Sequence, residues 1–389
     1  MKPQKQGYDW HEAAQGLPRV AAPCPHFGMC GGCQLQDLAY SDQVSLKEGR
    51  LRSLFGDPAL TPSRWLPPIT GPEFGYRLRL RFSVRFVPKK GGALVGFREK
   101  KKTYVVDMHH CPILPKRVSD LIDPLRELVA RLSQPKSIAQ ISVSAADSHD
   151  AYVIRNLEPL TGADLILLRE FEETRKVRFY LQSGGYETLE PMSPGTPARL
   201  TYRLEDQGLS LSYRPHHFTQ VNADVNRAMV RQALELLAIR RGEKGLDLFC
   251  GVGNFTLAFA RQGAEVLGVD SDGDQIGAAR DNAILNKLEG SARFEAGDLY
   301  RPEGVATVPF NGRSFIVLDP PRTGAEEVCR ALDPGGAERL LYISCNPESL
   351  ARDAAILVGE KGYQLRALGL VDMFPQTVQA EAMALFQRQ

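Results

Sequence analysis

From about Phe218 to the C-terminus the chain alternates strand-like and helix-like segments. Within that stretch, Leu246-Asp247-Leu248-Phe249-Cys250-Gly251-Val252-Gly253-Asn254-Phe255 runs from a strand through a Gly-x-Gly turn into a helix. No other feature restricts the fold as much, because strands separated by helices demand a parallel sheet covered on both faces. Strands are expected at 245–249, 265–270, 292–296, 315–319, 340–344, 365–371 and 382–387, with helices at 223–238, 275–285 and 349–357. Seven strands connected in this order fit an α/β, doubly wound, Rossmann-like sheet whose last strand inserts antiparallel.

The glycines at 251 and 253 let backbone approach a ligand closely, and the following helix N-terminus favours its negative group. A dinucleotide fingerprint needs a third glycine where this chain has Thr256, so no pyrophosphate is implied. Asp270 ends the next strand 19 residues after Gly251, close to the distance at which an acidic residue reaches ribose hydroxyls in such folds. A carboxylate plus a ribose describes S-adenosylmethionine. Asp319-Pro320-Pro321-Arg322 follows the fourth strand, at the sheet edge where ligands bind. Amino-group methyltransferases with a similar turn place an aromatic residue where Arg322 stands, which argues against an exocyclic amine as acceptor.

The upstream half reads differently. Tyr76–Phe86 alternates Arg77, Arg79, Arg81 and Arg85 with Leu78, Leu80, Phe82 and Val84, a half-buried strand with a guanidinium face. Further strands are expected at 93–98, 103–107, 140–144, 151–155, 177–182 and 209–213, with a helix at 119–132, so residues 24–217 form a mostly antiparallel β domain after a flexible tail at 1–23. The chain's formal charge is only +2, yet residues 76–117 carry twelve Lys and Arg against Glu99 and Asp107. Such segregation is a footprint of phosphate binding. No uncharged apolar run approaches the roughly 20 residues that cross a bilayer, and the charged N-terminus lacks a secretory h-region, so a cytoplasmic protein is expected.

Tyr342-Ile343-Ser344-Cys345-Asn346-Pro347 ends the fifth strand with a thiol at the same sheet edge. If the acceptor is a pyrimidine C5, a thiolate must first add to C6, making an enolate whose C5 can attack the sulfonium methyl. A base must then remove the C5 proton. Cys345 suits the first role and Glu381, in Asp372-Met373-Phe374-Pro375-Gln376-Thr377-Val378-Gln379-Ala380-Glu381, the second. The bland alternatives are a small buried hydrophobe and a solvated carboxylate. Cys329, Trp65 and the His109-His110 pair keep bland readings.

Seven cysteines in a chain without a signal argue for metal or thiol chemistry rather than disulfides. Cys24, Cys30 and Cys33, with Cys111-Pro112, offer four thiolates in a spacing foreign to radical methyl-transfer enzymes. Zinc is possible, and a [4Fe-4S] cluster suits the set at least as well.

CPHFGMCGGCQLQ, VVDMHHCPI, FTQVN, LDLFCGVGNFT, LDPPRTG, YISCNPESLARD and DMFPQTVQAE occur in that order. With this set the chain resembles the RNA uracil-5 methyltransferases, specifically the cluster-containing branch acting on 23S rRNA, from Cys24 to the C-terminus. The resemblance implies [4Fe-4S] ligands at Cys24, Cys30, Cys33 and Cys111. It implies S-adenosylmethionine contacts from Gln220, Phe249, Gly251, Gly253, Asn254, Asp270, Asp298 and Asp319, with Cys345 as nucleophile and Glu381 as base. A methyltransferase domain at 218–389 and a flipped, unpaired uridine of 23S rRNA as substrate follow, with no membrane and no obligate protein partner. Three departures stand out: the family's N-terminal β-barrel does not fit before Cys24, Asp270 stands where Glu is common, and Gln376 and Gln379 replace histidines. The runners-up are a tRNA uracil-5 methyltransferase and a cluster-bearing RNA-binding factor with an inactive methyltransferase domain.

Overall fold

A computed structural model describes residues 8–333 and 336–388. The strands in chain order are β1 (Arg64–Trp65), β2 (Arg79–Val87), β3 (Gly92–Gly96), β4 (Ile138–Ser144), β5 (Ala151–Asn156), β6 (Arg178–Gln182), β7 (Glu190–Pro191), β8 (Leu200–Leu204), β9 (Leu209–Tyr213), β10 (Lys244–Leu248), β11 (Glu265–Asp270), β12 (Ala292–Ala296), β13 (Phe315–Leu318), β14 (Arg339–Ser344), β15 (Tyr363–Val371) and β16 (Glu381–Arg388). They form an eight-stranded sheet ordered β1-β15-β16-β14-β13-β10-β11-β12, a six-stranded sheet ordered β3-β2-β4-β5-β6-β7, and the β8–β9 hairpin.

In the large sheet β10 to β14 run parallel, and β16 lies antiparallel between β14 and β15. Successive side chains of a strand point to opposite faces. Phe315, Val317, Leu341, Ile343, Met383 and Leu385 therefore pack beneath the helices Ala223–Leu237, Asn254–Arg261 and Gly273–Leu285. Leu246, Leu248, Ile316, Leu318, Leu340 and Phe386 point the other way, toward Leu51, Val328, Leu350 and Leu357 of the helices Tyr40–Leu54, Glu326–Ala331 and Pro347–Gly359. Each such buried aliphatic or aromatic side chain contributes about 1.5–3 kcal/mol.

Several expectations change. The sheet gains an eighth strand, β1, which pairs with β15 from a segment expected outside it. Residues 103–107 make only a bridge from Val105 to Arg98. The expected helix at 119–132 is split into Lys116–Ser119 and Ile122–Arg131, because Pro124 has no N–H for the carbonyl of Asp120 and its ring crowds that carbonyl. Residues 8–23 do not hang free: Trp10–Ala13 is helical with Asp9 as cap, Ala14 is buried, and Arg19 bonds Asp37 at 2.8 Å. Residues 1–7 of the expected tail lie outside the described residues.

The β8–β9 hairpin packs with the C-terminal half. Its backbone bonds Asn282 and Asn286 of the Gly273–Leu285 helix and its end, with Ser212 N donating to Asn282 Oδ1 at 2.7 Å and Ser210 N to Asn286 Oδ1 at 2.9 Å. In the smaller sheet Leu80, Phe82 and Val84 are buried, while Arg81 and Arg85 are exposed. Arg79 departs from the expected guanidinium face, donating to Thr219 Oγ1 at 3.2 Å and Pro215 O at 3.0 Å.

Candidate active site at the open end of the parallel sheet

Beyond β10 the chain turns sharply under two bonds to Val269 O, from Phe249 N at 2.8 Å and Cys250 N at 3.1 Å. Phe249 (φ +67°), Gly251 (+54°) and Gly253 (+93°) all adopt left-handed backbone. For Phe249 this costs about 1–2 kcal/mol, which the flanking bonds offset. At Gly253 a Cβ would also lie 3.1 Å from the Phe294 ring. Asp270, at the end of β11, accepts from Gly251 N at 2.9 Å through one oxygen and from Asp272 N at 3.0 Å through the other. The carboxylate is thus fixed beside the glycine turn with lone pairs remaining for a diol.

The other expected contacts sit around this turn with differing freedom. Asn254 exchanges two 3.0 Å bonds with Asn226 and accepts a third from Tyr202, so its amide has one N–H to spare. Gln220 lines a cleft with Tyr202 and Asn226. Asp298 is exposed and accepts from Tyr300 N at 2.9 Å. Asp319 follows β13, and burial pushes its carboxyl up to about 8, with Asp247 and Asp270 adding repulsion. Tyr300, which no motif singles out, places its ring 5.5 Å from Phe249. A lone aromatic after Asp298-Leu299 offers no periodic signal.

Cys345 and Glu381 meet through strand register. The last β14–β16 pair is Ser344 with Ala382, so Cys345 and Glu381 are the next residues on each strand, one step past the ladder. Glu381 is also registered with Val371 of β15. Burial first, then repulsion from Asp319 and Asp372, raises the Glu381 carboxyl to about 8 against the opposing Arg322 and Lys47. Burial likewise lifts the Cys345 thiol to about 12, helped by Glu381 and Asp319 and opposed by Arg322. A half-buried thiol, a carboxyl that titrates near neutrality and a guanidinium can perform nucleophilic addition and proton transfer. Arg322 donates to Gln379 Oε1 at 2.8 Å, and Asn346 Nδ2 to Arg322 O at 2.9 Å, tying the Pro-Pro turn to both neighbours. The resulting cleft, of about 460 Å³, is lined by Cys345, Arg322, Phe374, Gln379, Gly32 and Arg77.

The four remaining expected ligands lie together. Cys24, Cys30 and Cys111 are buried, Cys33 is half-buried, and none forms a disulfide. Cys24, Cys30 and Cys33 each act electrostatically on others of the set, and burial raises Cys33 to about 11 and Cys111 to about 12. Among the described residues no three of these sulfurs approach within 4.8 Å of one another, a limit only His216, His217 and Asp274 meet. That histidine group is hydrogen-bonded rather than ready for a metal: Arg214 N donates to His217 Nδ1 at 3.2 Å, so its Nε2 carries the proton it gives to Asp274 at 2.8 Å. The cysteine loop is bonded to the basic hairpin through Gly31 N to Arg98 O (2.9 Å) and Lys100 N to Met29 O (2.8 Å). Its far end donates from Gln34 N and Leu35 N to Gln376 O, at 3.0 and 3.1 Å. Cys329 is fully buried on its helix, Trp65 packs under Arg52, and His109 pairs with Asp123, all in keeping with bland roles.

A second groove, of about 540 Å³, runs beside the cleft and is lined by Arg77, Arg81, Arg155, Tyr186, His216 and Phe218. Tyr186 and Phe218 are 56% and 61% exposed, high for large apolar rings.

Comparison with known proteins agrees with this architecture. A 23S rRNA (uracil(1939)-C(5))-methyltransferase RlmD from Acidithiobacillus ferrooxidans is 47% identical over 95% of this chain and 84% of its own length. The protein of the same name from Bordetella avium is 44% identical over 95% of this chain and 79% of its own. The chain belongs to the RNA uracil-5 methyltransferase family. The profile described as tRNA (Uracil-5-)-methyltransferase matches residues 199–389, beginning at the β8–β9 hairpin. The uracil-5 methyltransferase fold is shared with the Pyrococcus abyssi tRNA (uracil-54, C5)-methyltransferase, solved with S-adenosyl-L-homocysteine, at a TM-score of 0.71 and 24% identity over 92% of this chain and 86% of that one. No helix among the described residues is long and apolar enough to cross a membrane.

Proposed function

We infer that this chain transfers a methyl group from S-adenosylmethionine to C5 of a uridine in 23S rRNA. The observation that carries the reading is the convergence of Cys345 and Glu381 at the end of the β14–β16 ladder, in a chain 47% identical to a protein named for that reaction. The cofactor's ribose would bond Asp270, and its adenosyl and methionine parts would pass Phe249, Gly251 and Gly253, with Gln220, Asn254, Asp298 and Asp319 around them. Cys345 sulfur bonds to C6 of the uracil, the enolate's C5 takes the methyl from sulfonium, and Glu381 accepts the C5 proton. The electrons of that C–H bond restore the C5–C6 double bond as the C6–S bond breaks. Raised proton affinity at Glu381 supports this role, since a carboxyl titrating near 8 can take a proton and give it up again at neutral pH.

Reaching C5 and C6 from opposite faces requires an unstacked base. The groove of Arg77, Arg81 and Arg155 with exposed Tyr186 and Phe218 offers phosphate contacts and stacking rings for unpaired RNA.

Cys24, Cys30, Cys33 and Cys111 would hold a [4Fe-4S] cluster. Their free, clustered thiols suit it. Bound there, the cluster would supply a structural clamp between the N-terminal loop and the hairpin after β3. A cytoplasmic enzyme acting without an obligate protein partner completes the reading. The test is to map 5-methyluridine in ribosomal and transfer RNA from a deletion strain. Loss of one site in 23S rRNA supports the reading; loss from tRNA alone, or no loss, rejects it.

A further inference from the structure

The helix Tyr40–Leu54 buries two polar side chains, Gln43 and Lys47, on its inner side together with Leu51. Tyr40, Gln43 and Lys47 lie three and four residues apart, on one face. Each bonds the segment that leads to Glu381. Tyr40 Oη donates to Asp372 Oδ2 at 2.8 Å. Lys47 Nζ donates to Asp372 Oδ1 at 2.6 Å and to Phe374 O at 3.0 Å. Gln43 and Gln376 exchange a reciprocal pair, Gln43 Nε2 to Gln376 Oε1 and Gln376 N to Gln43 Oε1, both at 2.9 Å.

This arrangement is costly if it serves stability alone. The Lys47 and Asp372 side chains are both 0% exposed. A buried ion pair seldom outperforms packed apolar residues of equal volume. Gln376 is moreover held at φ +70°, a conformation a non-glycine residue keeps only under constraint. The constraints are the Gln43 amide on one side and the Gln34 and Leu35 N–H groups on the other.

We propose that Tyr40, Gln43 and Lys47 are positioning residues for proton abstraction, fixing the 372–381 segment so that Glu381 reaches the C5 proton of the methylated adduct. The proposal rests on Glu381 acting as the base. It assigns these three residues no part in sulfur addition or methyl transfer, because none of these five bonds goes to the Cys345 turn, which the same helix approaches instead through Arg50 Nη2 donating to Glu348 Oε1 at 2.7 Å. Lys47 has a second effect. The charged groups acting on Glu381 are Asp319 and Asp372, which disfavour its ionised form, and Arg322 and Lys47, which favour it. Lys47 is the fully buried cation of the two.

The experiment uses the full chain with an RNA substrate and compares Lys47→Met, Lys47→Met/Asp372→Asn and Gln43→Met. The last two leave no unpaired buried charge, so they retain the fold if the single lysine variant does not. Turnover should fall about tenfold in each, while single-turnover methyl transfer changes little and the Cys345–RNA adduct accumulates on denaturing gels. In the two lysine variants the pH at which turnover reaches half its maximum should shift. It should rise by about one unit in Lys47→Met, where a cation is removed, and fall slightly in the double variant, where Asp372, the stronger influence on Glu381 of the pair, is removed too. Unchanged turnover overturns the proposal. So does a parallel fall of adduct formation, methyl transfer and thermal midpoint, which marks a merely structural helix. Glu381→Gln separates the two levels: if that variant accumulates no adduct, the base is elsewhere and the underlying reading fails, whereas adduct there but not in the helix variants defeats this inference alone.

Discussion

Glu381 holds its proton to about pH 8 because burial at the start of β16 removes water from the charged form. Proton abstraction needs the ionised carboxylate, and addition needs the thiolate of Cys345, itself raised to about 12. Both shifts have the same sign, so turnover should rise steadily from pH 6 to 9 in buffered rate measurements; a flat profile would contradict it. Stability runs the other way. The folded carboxyl titrates near 8 and the unfolded one near its ordinary value of 4.5, so the folded state binds the extra proton between those values and loses stability as pH rises through them. Glu381→Gln should therefore raise the thermal midpoint at pH 8.5 and leave it nearly unchanged at pH 4. Equal midpoints at both pH values would show the carboxyl to be better solvated than its 6% exposure implies.

At the scale of elements, the Gly-x-Gly turn is the part most exposed to a single substitution. Gly253→Ala forces a side chain into φ +93° and within 3.1 Å of Phe294. It should cost about 1–3 kcal/mol in urea unfolding and weaken cofactor binding in calorimetry; wild-type values for both would contradict the strain. This turn was legible because β10, the glycines and the helix follow one another in sequence. The strands from β10 to β16 were legible for the same reason, their apolar runs being bounded by turns. The eighth strand was not: Arg64 and Trp65 are only two residues, and their place beside β15 depends on a backbone bond from Leu66 to Leu368 that no local pattern announces. The split at Asp120 is written in Pro124, but the helical period of the apolar residues on either side of it masks the break.

Across the whole molecule, the N-terminal segments and the C-terminal sheet share the site. Cys345 and Glu381 could be named from their motifs, yet their adjacency comes from antiparallel register, which only the β16 insertion supplies. Tyr40, Gln43 and Lys47 lie more than 320 residues from their partners and carry no motif of their own. The grooves join the two halves as well. Arg81→Ala with Arg155→Ala should weaken RNA binding in anisotropy titrations and flatten its salt dependence by about 0.7 for each phosphate left without its guanidinium; an unchanged slope would remove the groove from the RNA path. Cys33→Ser should abolish iron and visible absorption in protein prepared without oxygen and lower the thermal midpoint, and retained iron would reject the four-cysteine site. The central claim is the bond between Cys345 and a uracil ring, and mass spectrometry of the enzyme trapped on RNA carrying 5-fluorouridine at the target tests it most directly. The account predicts one RNA-linked, methylated adduct on the peptide containing Cys345, absent in Cys345→Ala. An adduct on another residue, or 5-methyluridine still formed by Cys345→Ala, would contradict it.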